Sequence, residues 1–477
     1  MSSLKTNFFY QILYQILLVI TPIVTTPYIS RVLGAENSGI FSYTNTIATY
    51  FYIFCMLGIE QYGTRCIAYV RHDNRKVNLI FSELLNIHVF IAVLVNGLYF
   101  LTVYLFNVDY KEFLYLQFIY VISAVFDISW LFFGLEKFRI TVVYNILIKI
   151  ASTLSVFVFV NDRGDIRNYI LIIVSSYLLT QVIIFYKAMK CVHYQKVPLK
   201  HSLRHLKPIV VLFAAVIAAN INRLADKFIL GCYEEIFELG CFEYADKIVR
   251  IPLSFIAALG TVMLSRVSGL VEDKNNEDKI SSILLYSGVF ILCVTNAMGF
   301  GIITIAPEFV IWFLGEEYQK SIILLQILSL TIPIVGWNNF IRTQVLIPNK
   351  KDSIYTKAVL TGAFFNVIFN VTTVPYLGSI GSSVSTVISY LIIFAMQTYP
   401  IRKSINCNEF QTSFTVFFSI GIISLCFSNL GFCYSHNLFV NKPNLFFVMC
   451  IKTIYYSIIY CLGTYLYYKR HLSKVFA

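Results

Sequence analysis

Apolar runs of roughly twenty residues, broken by short polar stretches, follow one another along the whole chain. A hydrocarbon core of about 30 Å is crossed by about twenty apolar residues in a helix. The runs near 8–29, 39–59, 77–105, 113–134, 140–160, 169–186, 207–230, 241–264, 281–305, 321–346, 354–375, 380–401, 412–430 and 445–467 therefore predict about fourteen transmembrane helices. The fold class expected is an all-α polytopic membrane protein. No external connection exceeds about twenty residues, and no soluble domain is appended. The longest connection, near 187–206, is basic, with six spans before it and six after. This sets an N-lobe at 1–206, a C-lobe at 207–403 and a tail at 404–477 carrying two further spans.

One stretch occurs twice. Gly39, Phe41, Tyr43 and Ile47 recur as Gly240, Phe242, Tyr244 and Ile248 at a constant offset of 201. Arg65 and Arg266 keep that offset, and a Leu-Gly pair precedes each copy, Leu33-Gly34 and Leu230-Gly231. The two lobes are thus expected to be pseudo-symmetric bundles of six helices. A membrane protein of two related halves suits alternating access, which points to a transporter.

Charge fixes the orientation. Of 37 Lys and Arg, 25 fall at the termini or in the even-numbered connections and six in the odd-numbered ones. By the positive-inside rule both termini and the 187–206 connection face the cytoplasm. The net charge of +12 is then a topological signal and not a nucleic-acid surface. Only 13% of residues are charged and 58% are apolar, where soluble domains hold about 25% charged. The 33 Tyr and 42 Phe suit lipid contact and interfacial belts. The 11 Cys form no C-x-x-C pair; Cys232 and Cys241 flank one external loop but read as thiols. The first apolar run is too long for a cleavable signal peptide and has no cleavage site.

Charges inside spans are costly and mark cavities or partners. The seventh span carries Asn220, Arg223, Asp226 and Lys227 on one helical face. The eighth carries Glu243, Asp246, Lys247 and Arg250 as a single stripe. Subtracting the offset of 201 gives Ser42, Asn45, Thr46 and Thr49 in the second span, polar but neutral. Gln11 and Gln15 add an amide pair to the first. Amides and hydroxyls suit sugar hydroxyls; Arg and Lys suit phosphate oxygens. The plainer reading is that the charges pair with one another as structural ion pairs. Lys149 in the fifth span is an isolated cation, with Asp127 of the fourth as its expected partner; Asp127 is alternatively a proton carrier. Asn366 and Asn370 are expected to bond between helices. There is no G-x-x-x-x-G-K-[ST] loop, no H-E-x-x-H helix and no external acidic domain, so no enzyme, cofactor or metal site is expected.

These residues resemble a family. Pro27-Tyr28-Ile29-Ser30-Arg31-Val32-Leu33-Gly34, the Gly39–Tyr43 stretch, Leu57-Gly58-Ile59 and Tyr62-Gly63 look like the start of bacterial polysaccharide flippases of the Wzx type. These belong to the multidrug/oligosaccharidyl-lipid/polysaccharide exporter superfamily. Asp127-Ile128-Ser129-Trp130 with Gly134, Glu136 and Phe138 resembles their fourth-span signature. So does Gln344-Val345-Leu346-Ile347-Pro348, followed by Asn366, Asn370, Pro375, Gly378 and Gly381.

The resemblance implies two six-helix bundles around a central cavity, with two peripheral helices. It implies an undecaprenyl-diphosphate-linked oligosaccharide moved from the inner to the outer leaflet of the bacterial cytoplasmic membrane, for O-antigen, capsule or exopolysaccharide. Membrane lipids and other polysaccharide-assembly proteins are the further partners expected. The family's cavity is lined by the first, second, seventh and eighth helices, so Arg31, Gln15, Asn45, Thr46, Arg223, Lys227, Lys247 and Arg250 are candidate substrate contacts. Asp226, Glu243 and Asp246 bring that cavity near charge balance and, with Asp127, are candidates for ion coupling. A drug or metabolite antiporter of the same superfamily is the alternative. A membrane-embedded polysaccharide polymerase is a further one, disfavoured by the lack of a large external loop.

Overall fold

Long helices account for nearly all of the computed structural model, which describes residues 2–106, 109–233, 236–271, 277–402, 407–436 and 444–472. Within these, the side chains of 2–15, 214–215, 218–219, 221–223, 265, 271, 277–278, 407–408, 431–436 and 472 are not described. No strand occurs among the described residues. Eleven helices there are long and apolar enough to cross a membrane. Two of them, Ile16–Val70 and Asp352–Ile401, run 55 and 50 residues, each the length of two passes. The chain is a multi-pass helical membrane protein, as its hydropathy pattern requires.

The helices are α1 (Ser2–Met56), α2 (Ile59–Val70), α3 (Asn74–Leu105), α4 (Lys111–Ser123), α5 (Ser129–Gly134), α6 (Phe138–Phe159), α7 (Ile166–Cys191) and the short α8 (Leu199–Ser202). Then come α9 (Leu206–Tyr233), α10 (Ile236–Val271), α11 (Glu277–Phe313), α12 (Lys320–Ser329), α13 (Thr331–Phe340), α14 (Asp352–Thr398), α15 (Cys407–His436) and α16 (Leu445–Tyr467). Helix α1 turns at Gly34 (φ 76°, ψ 175°) and α14 at Gly378 (φ 56°, ψ −136°). Only glycine adopts such angles cheaply. Each break therefore sits where one long apolar run must become two.

The chain forms two compact units, Met1–Phe228 and Ile229–Ala477. Residues 207–228, read from sequence as the start of the C-lobe, fall in the first unit.

In the first unit Trp130 is fully buried, and its ring leaves room only for Gly63 on the facing helix: a Cβ there would come within 2.7 Å. Small residues allow such close helix approach in a membrane. The segment after α7 is tied to α3. The Asn78 side chain accepts from the His193 N–H, Ser82 Oγ from the Gln195 N–H at 2.8 Å, and Asn86 donates to the Val197 carbonyl. Buried Glu83 accepts from Arg204 at 2.6 Å and from His205 at 2.8 Å, while the other His205 nitrogen meets the Tyr62 hydroxyl. Asp73 caps α3 through the Arg75 and Lys76 N–H groups. The Lys76 N–H above all holds its carboxyl below the usual carboxylate range.

In the second unit the two spans without counterpart, α15 and α16, pack on α11 and on each other. Tyr456 and Tyr460 donate to the Ala297 and Cys293 carbonyls at 3.1 and 2.7 Å. Lys452 of α16 reaches Glu308 of α11 at 2.5 Å, both nearly buried. Cys232 and Cys241 are thiols.

Candidate functional site

The charged stripe of the eighth apolar run lies on α10. Cys241, Phe242, Tyr244, Ala245, Ile248 and Val249 on the opposite arc are buried, while Glu243, Asp246, Lys247 and Arg250 are half-buried on one face. Helical spacing alone makes this division, because steps of three and four return to the same side. Arg250 Nε donates to Asp246 Oδ2 at 2.9 Å. Glu243 and Tyr390 stand within electrostatic reach of the same guanidinium. The remaining guanidinium N–H groups leave Arg250 donors for a second anion. Lys247 places Nζ 5.4 Å from the Tyr244 ring centroid, a cation–π arrangement.

The register-matched positions in α1 are more enclosed. Ser42 and Thr46 are 3% and 2% exposed, whereas Asn45 and Thr49 are half-buried. Thr49 Oγ1 donates to the Asn45 carbonyl at 2.7 Å. One step on, Tyr50 lies within electrostatic reach of Asp226 of α9 and meets the Phe228 ring at 6.0 Å. Asp226 is buried and Lys227 half-buried. Arg31 is exposed, three residues before the Gly34 break. Gln15 and Arg223 lie on α1 and α9, but their side chains fall outside the described residues.

Asp127 is not paired with Lys149, contrary to the expectation from sequence. Its carboxylate accepts from the Tyr52 hydroxyl at 2.5 Å and from Ser129 Oγ at 2.7 Å and N at 3.2 Å. Hydroxyl and amide donors reach it first, because the chain leaves the helix at Asp127 and turns the Ser129 N–H back onto it. Lys149, half-buried, shares a helical face of α6 with the buried Val142, Ser152 and Val156. Asn366 and Asn370 are fully buried, and Asn370 donates to the Asn366 carbonyl within α14, besides further contacts.

The structure adds residues that sequence reading missed. Tyr52 bonds Asp127, Glu60 and His88 lie within electrostatic reach of it, and Tyr50 lies within reach of Asp226. A histidine inside the third apolar run and a glutamate just after the second were visible signals for His88 and Glu60. Nothing distinguishes Tyr50 and Tyr52 among 33 tyrosines. Among the described residues no group of three His, Cys, Asp or Glu could hold a metal ion.

Residues 4–268 match the family described as polysaccharide biosynthesis protein. A protein of Shigella dysenteriae provisionally named an O-antigen transporter is 22% identical over 386 residues, covering 80% of this chain and 96% of its own. A protein of Escherichia coli K12 with the same provisional name is 24% identical over 417 residues, covering 84% and 97%. Among solved structures, the lipid II flippase MurJ in an inward closed conformation aligns with a TM-score of 0.68 at 17% identity, over 94% of this chain and 98% of its own. An inward-facing multidrug resistance transporter of the MATE family aligns at 0.56 and 12% identity, over 81% and 98%. These two likenesses concern the fold.

Proposed function

The chain belongs to the family of polysaccharide biosynthesis proteins, and from that membership we propose that it flips lipid-linked oligosaccharide repeat units across the bacterial cytoplasmic membrane. The observation that carries the reading is the half-buried stripe of Glu243, Asp246, Lys247 and Arg250 on α10 of a polytopic helical fold. A stripe of ionisable side chains in a span is retained where it faces water or a polar ligand. Guanidinium and ammonium groups suit a diphosphate, and Asn45 with the neighbouring hydroxyls suits sugar. The relatives named as O-antigen transporters agree with such a cargo, which moves from the inner to the outer leaflet with both protein termini in the cytoplasm. The protein acts as a transporter and catalyses no bond change. Its partners are the lipid-linked oligosaccharide, bilayer lipids and other membrane proteins of polysaccharide assembly.

The test is reconstitution. Proteoliposomes holding an undecaprenyl-diphosphate oligosaccharide are probed with a membrane-impermeant lectin or glycosidase. Protein-dependent appearance of sugar on the far leaflet is expected. Export of a cationic drug with no movement of the lipid-linked sugar would replace this reading by that of an antiporter.

A further inference from the structure

Two helix breaks in the first unit fall within or at the end of apolar runs. Between α1 and α2 the chain passes through Leu57 (φ 41°) and Gly58 (φ 75°), within the span Ile16–Val70. Between α4 and α5 a three-residue turn, Ala124–Phe126, leads into extended Asp127 (φ −78°, ψ 92°), within the span Lys111–Gly134. Left-handed backbone at a leucine is strained, and such strain gathers at working sites. Non-helical backbone in a membrane persists only where protein or a wet cavity satisfies it, and ion sites of transporters favour discontinuous helices.

Ionisable groups converge on these breaks. His88 is 1% exposed and donates from Nε2 to the Ala124 carbonyl at 2.7 Å. A carbonyl only accepts, so Nε2 carries the hydrogen and Nδ1 is the nitrogen able to bind a proton; Nδ1 is buried and without a partner among the described residues. His88 lies within electrostatic reach of Asp127, as does Glu60, which is exposed on the first turn of α2. Among the described residues no Lys or Arg forms an ion pair with Asp127 or Glu60. The other groups facing the site are Tyr52 of α1, Tyr120 of α4 stacked on Tyr52 at 4.8 Å, and Tyr177 of α7 at 5.0 Å from Tyr120. From α6, Lys149 forms no bond to it.

We propose that Asp127, with His88, is a proton-binding site built at the helix breaks, taking up and releasing one proton as the protein changes conformation. This rests on the transporter reading. A proton suits the site better than a sodium ion, because the groups bonded to the carboxylate, the Tyr52 and Ser129 hydroxyls and the Ser129 N–H, present hydrogens to it and bring no second anion to hold a metal. A Cβ at Gly58 would stand 2.9 Å from the Phe213 backbone nitrogen, so the α1–α2 break is packed closely on α9. Tyr52, five residues before Leu57, links the carboxylate to that break.

Infrared difference spectra of the purified protein, recorded between acid and alkaline pH, test the site without any substrate, so failure of the flippase reading leaves them intact. A carboxyl band should titrate reversibly, vanish in Asp127→Asn, persist in Asp127→Glu, and shift its midpoint by at least about tenfold in proton concentration in Tyr52→Phe, which removes one donor. His88→Gln should shift it too. Sodium should leave it unchanged. An identical spectrum in Asp127→Asn, a midpoint indifferent to both Tyr52→Phe and His88→Gln, or displacement of the proton by sodium would each overturn the proposal. Should Asp127→Asn fail to fold, the Tyr52→Phe and His88→Gln midpoints decide.

Discussion

Asn37 and Glu238, 201 positions apart, tie the starts of corresponding helices to corresponding turns. Asn37 Nδ2 donates to the Arg163 carbonyl at 2.8 Å, in the turn joining α6 to α7. Glu238 accepts from Ser379 at the Gly378 turn, where the eleventh apolar run gives way to the twelfth, and also pairs with Lys320 of α12. The neutral residue also donates to the Leu33 carbonyl in its own helix at 3.1 Å; the charged one gathers two partners from other parts of the chain. Glu238→Ala should therefore cost about 2 kcal/mol, a charge-assisted bond plus a partly screened ion pair, and Asn37→Ala about 1 kcal/mol. Thermal unfolding in detergent measures both, and equal shifts would contradict the assignment.

The ion pair between Arg250 and Asp246 sharpens the test of the stripe. Arg250→Ala and Lys227→Ala should lower surface polysaccharide at least about tenfold at unchanged protein level, and Arg250→Lys should recover it only in part, since the planar fork is lost. Asp246→Asn should fail if pairing is its role and be restored by also neutralising Arg250. If Asp246→Asn keeps transport but loses its response to an imposed ion gradient, Asp246 is a coupling group. Normal export by both alanine variants would make the cations structural.

Gln195 lies in the segment bound along α3, with its side chain exposed. A cysteine there should resist impermeant maleimide applied to intact cells and react once the membrane is opened, because the basic connections face the cytoplasm. Labelling from outside would invert the topology.

The pair of Lys452 and Glu308 pins α16 to α11. Lys452→Ala should destabilise the protein by about 3–5 kcal/mol by stranding a buried carboxylate. Replacing both by Met should be near neutral, because two apolar side chains need no partner. Unfolding curves of the single and double variants give the comparison; a double variant as weak as the single would show that the pair stabilises beyond mutual neutralisation.

Much of this protein was legible along the chain. Helices in a bilayer must satisfy their own backbone and shield it with apolar side chains, so hydropathy locates the spans without knowledge of packing. The face shared by Glu243, Asp246, Lys247 and Arg250 followed from helical spacing, and structure keeps those four on one side of α10. The offset of 201 also relates Asn37 to Glu238, but only the structure showed that this pair ties helices to turns.

What spacing cannot convey is which neighbour a side chain meets across helices. The sequence by itself determined the class, the multi-pass helical character, the repeated stretch and the charged stripe, because each follows from local periodicity against a uniform solvent. Only the tertiary structure decided that Asp127 takes its bonds from Tyr52 and Ser129 and not from Lys149. Only it placed Tyr50 beside Asp226 and brought the break at Leu57–Gly58 onto α9. Those pairings depend on how helices distant in sequence rotate and tilt as they pack, and a membrane leaves that choice to side-chain fit and hydrogen bonds between helices.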